Sequence, residues 1–317
     1  MKALVLVENE KLEVMEMPNP EIASPDEILV EVCACTICHT DLEIYRGTRK
    51  WGGGPPNMFG HEVTGIVHQI GKDVHNVQIG DRVLLRITST GFAEYCKAKG
   101  VEAIRLPEEI GFEEGAIAQL MPIAVRGIEK SIKSGDTVFV SGQGPAGVLC
   151  NQVAKAYGAQ KVIAADLYDQ RLARGRDLGC DVAINAQREN VAERVKEETD
   201  GRGANVTVEC VGIEPSFRNC EKACKNGGTI VVFGSHLKPI EIDLLSWEGR
   251  SLSLVIAREQ PHETPYLLRR SIELISSGKV RLKPMLTHVF PLDRAPEAFE
   301  FLAHHPQQAL KIAIVPM

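Results

Sequence analysis

The sequence predicts an α/β protein of two domains: a β-rich unit and a doubly wound parallel sheet. Three observations carry this prediction. The first third of the chain is a run of short apolar strands punctuated by Gly and Pro. From residue 137 onward, apolar strands alternate with helical stretches. At the junction, Ser141-Gly142-Gln143-Gly144-Pro145-Ala146-Gly147 links an apolar strand to a helix with the spacing of a dinucleotide loop.

The elements follow in order. Residues 2–7, 12–17, 27–32, 63–70 and 82–85 read as strands, and such close spacing suggests a barrel or sandwich. Trp51-Gly52-Gly53-Gly54-Pro55-Pro56 reads as a loop bordering the site. The pattern changes near Ala116. Strands are expected at 137–141, 161–165, 206–209 and 229–233, with helices at 146–157 and 170–178. This alternation implies a parallel sheet covered on both faces. The tail changes again, with helices at 266–276 and 294–303, an extended piece at 288–291 and a last strand at 311–315. Domain boundaries are expected at 1–123, 124–265 and 266–317.

A length of 317 residues allows two domains. The net charge of -6 argues against nucleic acid or an anionic membrane as the main partner. No apolar run approaches the roughly 18 residues of a spanning helix. The N-terminus turns charged too early for a signal peptide. Nine cysteines, odd in number and irregular in spacing, point to free thiols in a reducing cytoplasm. A local cluster of Cys33, Cys35 and Cys38 is not expected, because residues 27–37 read as a strand.

Two short motifs carry the chemistry. Cys38-His39-Thr40-Asp41 supplies a thiolate, a hydroxyl and a carboxylate within one turn. Gly60-His61-Glu62 sets an imidazole beside a carboxylate. Thiolate, imidazole and carboxylate are the donors that hold zinc with one position left open. In the dinucleotide loop, Gly142 permits the tight turn, Gly144 lets the backbone approach the pyrophosphate and Gly147 allows close packing. The pyrophosphate is expected on the helix N-terminus, where free N–H groups favour an anion. Asp166 ends the next strand about 20 residues on, where a ribose-binding acid belongs. Zinc beside a dinucleotide suggests hydride transfer at a metal-bound oxygen.

On these residues, and on Gly80-Asp81-Arg82-Val83, Gly91-Phe92-Ala93-Glu94-Tyr95, Glu209-Cys210-Val211-Gly212 and Gly227-Gly228, the chain resembles the zinc-containing medium-chain dehydrogenase/reductase family. The polyol (sorbitol), butanediol and threonine dehydrogenase branch is the nearest in look. The resemblance spans nearly the whole chain. It implies a GroES-like β-barrel catalytic domain built from both chain ends, with a Rossmann domain inserted between them and the active site in the cleft. It implies Cys38 and His61 as zinc ligands, Glu62 as a ligand or exchangeable neighbour, Thr40 as the hydroxyl that starts proton relay, and Asp41 as the carboxylate that orients the ligand His. It also implies NAD bound by Gly142, Gly144, Pro145, Ala146, Gly147, Asp166, Arg171 and Val211, and a homo-oligomer, dimer or tetramer.

Three departures from the family pattern stand out. Only residues 84–90 fill the place of the four-cysteine structural-zinc lobe, so one zinc per chain is expected. Glu43 stands where many members have a relay His; it reads equally as a proton acceptor or as a solvated helix residue. Met121-Pro122 replaces the Glu-Pro of the polyol branch, and a thioether is a poor zinc ligand. Glu62 is therefore expected to close the shell and, with the Cys38 thiolate, to neutralise the ion into a milder Lewis acid.

The expected function is an NAD-dependent zinc dehydrogenase acting on a secondary alcohol or polyol. One alternative is a zinc-free reductase of activated double bonds, against which Cys38 and His61 argue. The other is a non-catalytic dinucleotide-binding protein. Substrate-selecting residues are sought in 45–57 and 258–266 by location alone.

Overall fold

The computed structural model describes residues 1–49, 55–86 and 90–316. Residues 51–54 of the expected site-bordering loop lie outside the described residues, as do 87–89 of the shortened connection. The chain forms two compact units, Met1–Gln119 joined by Leu282–Met317, and Leu120–Arg281.

In the first unit, a sheet runs in the order Leu286–Pro291, Lys311–Val315, Glu27–Thr36, Glu62–Ile70, Arg82–Leu85, Ala103–Arg105. Tyr95–Lys99 also pairs with Glu27–Thr36. A smaller sheet joins Lys2–Glu8 to Lys11–Glu16 and Asn57–Met58. Alternating apolar residues such as Ile28, Val30 and Val32 turn into the core. The rings of Phe59, Phe92 and Phe299 meet edge to face with centroids 5.3–5.5 Å apart. Such contacts add to the area that aromatic residues bury. Phe299 lies on the late helix Ala295–His304. The tail thus completes a core begun by the first hundred residues.

The second unit is a parallel six-stranded sheet. Its order is Val182–Asn185, Lys161–Asp166, Thr137–Ser141, Ala204–Glu209, Cys224–Val232, Ser253–Ile256. The order reverses between Thr137–Ser141 and Ala204–Glu209, which in a doubly wound sheet marks the ligand crevice at the carboxyl ends of the strands. Val138, Phe139, Val140, Val162 and Ile163 are fully buried, as continuous apolar strands covered on both faces must be.

The expected boundaries near 123 and 265 move to 119 and 281. The helix Thr264–Ser276 stays with the second unit because it packs on Met121–Glu129. Arg126 donates to Glu263 at 2.6 Å and to the carbonyl of Ile256 at 2.5 Å, and Lys130 donates to Glu263 at 2.6 Å. Lys130, the N–H of Gln260 and Arg126 together hold the Glu263 carboxyl at about 2. A depressed carboxyl stabilises the fold above its unfolded value, near 4.3, and loses that contribution as pH falls toward 2. Glu263→Gln should therefore lower stability by on the order of 1–2 kcal/mol at neutral pH, after allowance for partial exposure. Melting curves should show the gap between variant and wild type closing below about pH 4.

Candidate active site

Strand register builds a cluster of side chains that could hold a metal ion. Thr36, near the end of one strand, pairs with Glu62, the first residue of the next, and with Ala313 on the other side. Cys38 lies two residues beyond Thr36 and His61 one before Glu62, so both motifs arrive at the same end of the sheet. The ligand atoms of Cys38, His61 and Glu62 lie within 4.8 Å of one another, the one such group of three among the described residues.

Each donor is held in place. Cys38 caps the helix His39–Tyr45, and its N–H donates to the Asp41 carboxylate at 2.8 Å. The other Asp41 oxygen lies 3.3 Å from Nδ1 of His61, which makes Nε2 the candidate donor to a metal ion and gives the imidazole the kind of carboxylate partner that a ligand His has. Burial lowers the affinity of His61 for a proton; the charges of Asp41 and Cys38 outweigh it, and the pKa stands well above the ordinary value. A cluster that draws a proton this strongly also favours a divalent cation, which displaces that proton on binding.

Glu62 is fully buried, and its two oxygens differ. Oε2 accepts from the Thr36 hydroxyl and from the Lys311 ammonium, while Oε1 has no hydrogen-bond partner among the described residues. An unpartnered buried carboxylate oxygen beside a thiol and an imidazole fits a zinc ion. Lys311, itself buried, also donates to the carbonyl of Ile37 at 3.1 Å. Burial lowers its pKa, and Glu62 and Cys38 raise it further than that, so the ammonium form prevails.

Lys311 corrects one expectation. Its charge offsets that of Glu62, so thiolate and carboxylate together do not neutralise zinc, and the milder Lewis acid does not follow. Sequence reasoning missed Lys311; an isolated lysine opening an apolar strand was the available signal. A second correction concerns Glu43, which is buried rather than solvated and pairs with Arg49 at 2.7 Å. The exposed His39 ring is 3.8 Å from its other oxygen. Thr40 is half-buried in the first turn of the same helix. Met121, in the second unit, is fully buried at the start of Met121–Glu129.

The dinucleotide loop lies at the carboxyl edge of the second unit's sheet. Gly142 has φ +93°, a conformation that L side chains rarely adopt. A Cβ on Gly147 would lie 1.8 Å from the Gly142 carbonyl oxygen, so the loop closes on itself there. The space above Gly144 is open, and Pro145 and Ala146 begin the helix Pro145–Ala156. An open cradle over free helix N–H groups fits a pyrophosphate. The buried Gln143 side chain ties Gly142 to Asn151.

Asp166 accepts from the N–H of Gln143 at 2.7 Å and of Tyr168 at 3.0 Å. A carboxylate has about four acceptor positions, so capacity remains for a ribose diol. Arg171 stands 3.9 Å from Asp166 and over the Tyr168 ring. Val211 is partly exposed and packs toward Gly142.

Comparison with known proteins agrees with this geometry. The model of the alcohol dehydrogenase GroES-like domain matches residues 24–133, and that of the zinc-binding dehydrogenase matches residues 145–272. A D-xylulose reductase of Saccharomyces cerevisiae is 30% identical, over 99% of this chain and 97% of that protein. A sorbitol dehydrogenase of Rattus norvegicus is 29% identical, over 89% and 87%. The solved alcohol dehydrogenase TADH from Thermus sp. ATN1 superposes with a TM-score of 0.90 at 25% identity, over the full length of both chains. The chain therefore belongs to the zinc-containing medium-chain dehydrogenase/reductase family and is an oxidoreductase of its alcohol and polyol dehydrogenase type, using zinc and a nicotinamide dinucleotide.

Proposed function

We propose that this chain interconverts a secondary alcohol or polyol and its ketone, with NAD as hydride carrier and one zinc held by Cys38, His61 and Glu62. The observation that carries the reading is the convergence of those three donors in a chain that also holds the 142–147 loop. It disfavours a zinc-free reductase, which has no use for such a cluster. Relatives named for xylulose and sorbitol point to polyols.

The bound groups supply Lewis acidity, which eases deprotonation of the substrate hydroxyl, and a nicotinamide to accept hydride. The chain's own residues do the rest. Asp41 fixes the His61 ring. Lys311 and Thr36 hold one oxygen of Glu62 and thereby aim the other. Thr40 takes the substrate proton and donates its own onward, since a hydroxyl both accepts and donates. Arg49 already occupies one oxygen of Glu43, so water receives the proton in this reading.

Thr40→Val keeps the side-chain volume and removes both hydrogen-bonding roles. It should leave metal and cofactor bound while lowering kcat by about 10²–10⁴-fold. Unchanged kcat would remove Thr40 from the pathway. Glu43→Gln should shift the pH profile little.

Asp166 favours NAD, because a 2′-phosphate would meet its charge; Arg171 narrows that preference without reversing it. The deciding assay is turnover of zinc-loaded protein on a panel of polyols and secondary alcohols with each dinucleotide. No turnover on any of them, or a higher kcat/KM with NADP, would count against the corresponding part.

A homo-oligomer fits the second unit's outer strand Ser253–Ile256, which exposes Leu254 and Ile256. An unpaired apolar edge is a template for a second copy, and sedimentation velocity would read a monomer if this is wrong. Nine cysteines with no disulfide among the described residues fit a reducing cytoplasm.

A further inference from the structure

The two strands that flank the reversal of sheet order end in register, Ser141 opposite Glu209. Gly142 follows the first and Val211 follows the second. Glu209 is a fully buried acid that the reading above leaves without a role. Its Oε1 accepts the N–H of Val211 at 2.8 Å and of Gly212 at 2.9 Å. Its Oε2 accepts Gly212 N–H at 3.2 Å and lies 3.5 Å from Nε2 of His236. Its main-chain carbonyl accepts from Phe233 and Gly234, both at 2.9 Å.

Two loops, 210–212 and 233–236, thus cross on this one residue with no slack. A Cβ on Gly234 would lie 2.4 Å from the Glu209 carboxylate and 2.3 Å from the N–H of Gly212. A Cβ on Gly212 would lie 2.6 Å from the Ser235 carbonyl. The pinned loop in turn presses Val211 toward Gly142, where an added Cβ would sit 2.6 Å from the valine methyl. Burying a carboxyl group is unfavourable unless its hydrogen bonds are met. Here they are met by the backbone that lines the crevice at the switch point.

We infer that Glu209 is a positioning residue for the dinucleotide: its carboxylate holds loop 210–212 beside Gly142 through the N–H groups of Val211 and Gly212, while its main-chain carbonyl holds Phe233 and Gly234, and together they preorganise the crevice for the part of the cofactor beyond the adenosine. The inference rests on the reading that this chain binds NAD. Preorganised backbone contacts lose affinity when their supporting shell loosens. The adenosine ribose is held separately, at Asp166, so the two halves of the cofactor should respond differently.

The test is titration calorimetry of the zinc-loaded protein with NADH and with AMP, on wild type, Glu209→Gln, Glu209→Leu and Gly234→Ala, with melting temperatures alongside. Gln keeps an acceptor for the two N–H groups and should weaken NADH about two- to threefold; Leu keeps none and should weaken it about tenfold or more. Gly234→Ala, whose added Cβ would press on both the Glu209 carboxylate and the Gly212 backbone, should also weaken NADH about tenfold and serves in place of Leu if that variant does not fold. AMP affinity should stay within about twofold throughout. Equal NADH affinity in wild type and the Leu and Ala variants would overturn the inference. So would a parallel loss of NADH and AMP tracking the fall in melting temperature, which is what a merely structural role produces. A wild type with no affinity for NADH would instead overturn the functional reading itself, and this inference with it.

Discussion

Cys38→Ser is expected to give a purified chain that retains little zinc and has lost at least about a thousandfold in turnover. The thiolate is the one soft donor of the cluster, and thiolate is a donor type that zinc favours. A serine hydroxyl at that position is neutral at physiological pH and binds zinc poorly. His61 and one Glu62 oxygen then remain, fewer than the three protein ligands of an open catalytic site. Elemental analysis of freshly prepared protein measures this directly, with one zinc per chain expected for wild type. Two zincs per chain, or one that survives the substitution, would falsify the assignment. The fold should persist, since Cys38 is only half-buried at a helix cap, and circular dichroism can separate loss of metal from loss of structure.

The second large effect is expected at Lys311. Lys311→Met keeps most of the apolar stem but leaves the Glu62 carboxylate buried without its cation. Breaking a buried ion pair from one side destabilises a protein by about 3–5 kcal/mol. For a unit of this size that is a fall in Tm of roughly 10 °C. Two further measurements separate this account from a simple packing defect. The double variant Lys311→Met/Glu62→Gln should recover much of the loss, because no uncompensated charge then remains. Saturating zinc should also narrow the gap between Lys311→Met and wild type, because a ligand that binds the native state alone stabilises it and supplies the missing positive charge. An equal Tm gap with zinc and with chelator would argue against Glu62 as a ligand.

These two residues mark what could be read in the chain and what could not. Cys38 stands within a short motif, next to the hydroxyl and carboxylate that serve it, and its pairing with Gly60-His61-Glu62 ahead of the dinucleotide loop, with the family resemblance, made it a candidate. The dinucleotide loop was legible for the same reason: strand, glycine turn and helix are consecutive, and their chemistry is set over a few residues. Lys311 and Glu62 are 249 positions apart, and only the pairing of Thr36 with Glu62 on one side and Ala313 on the other brings them together. The solvated reading of Glu43 failed for a related reason. Its helical position was plain, but its burial and its partner Arg49 depend on a chain reversal that periodicity does not encode. The helix Thr264–Ser276 was foreseen as a helix and assigned to the wrong unit, because the face it buries is chosen by its contact with Met121–Glu129 and not by its own pattern.

The amino-acid sequence by itself determined the strand and helix periods, the ligand types and the glycine turn, all of which rest on interactions within a few residues along the chain. The tertiary structure alone decided which charge Glu62 faces, that of Lys311 on the last strand, and that the Glu209 carbonyl receives the N–H groups of Phe233 and Gly234. Those contacts are set by strand register and by burial, which act between segments distant in sequence and become specific only once the sheets have formed.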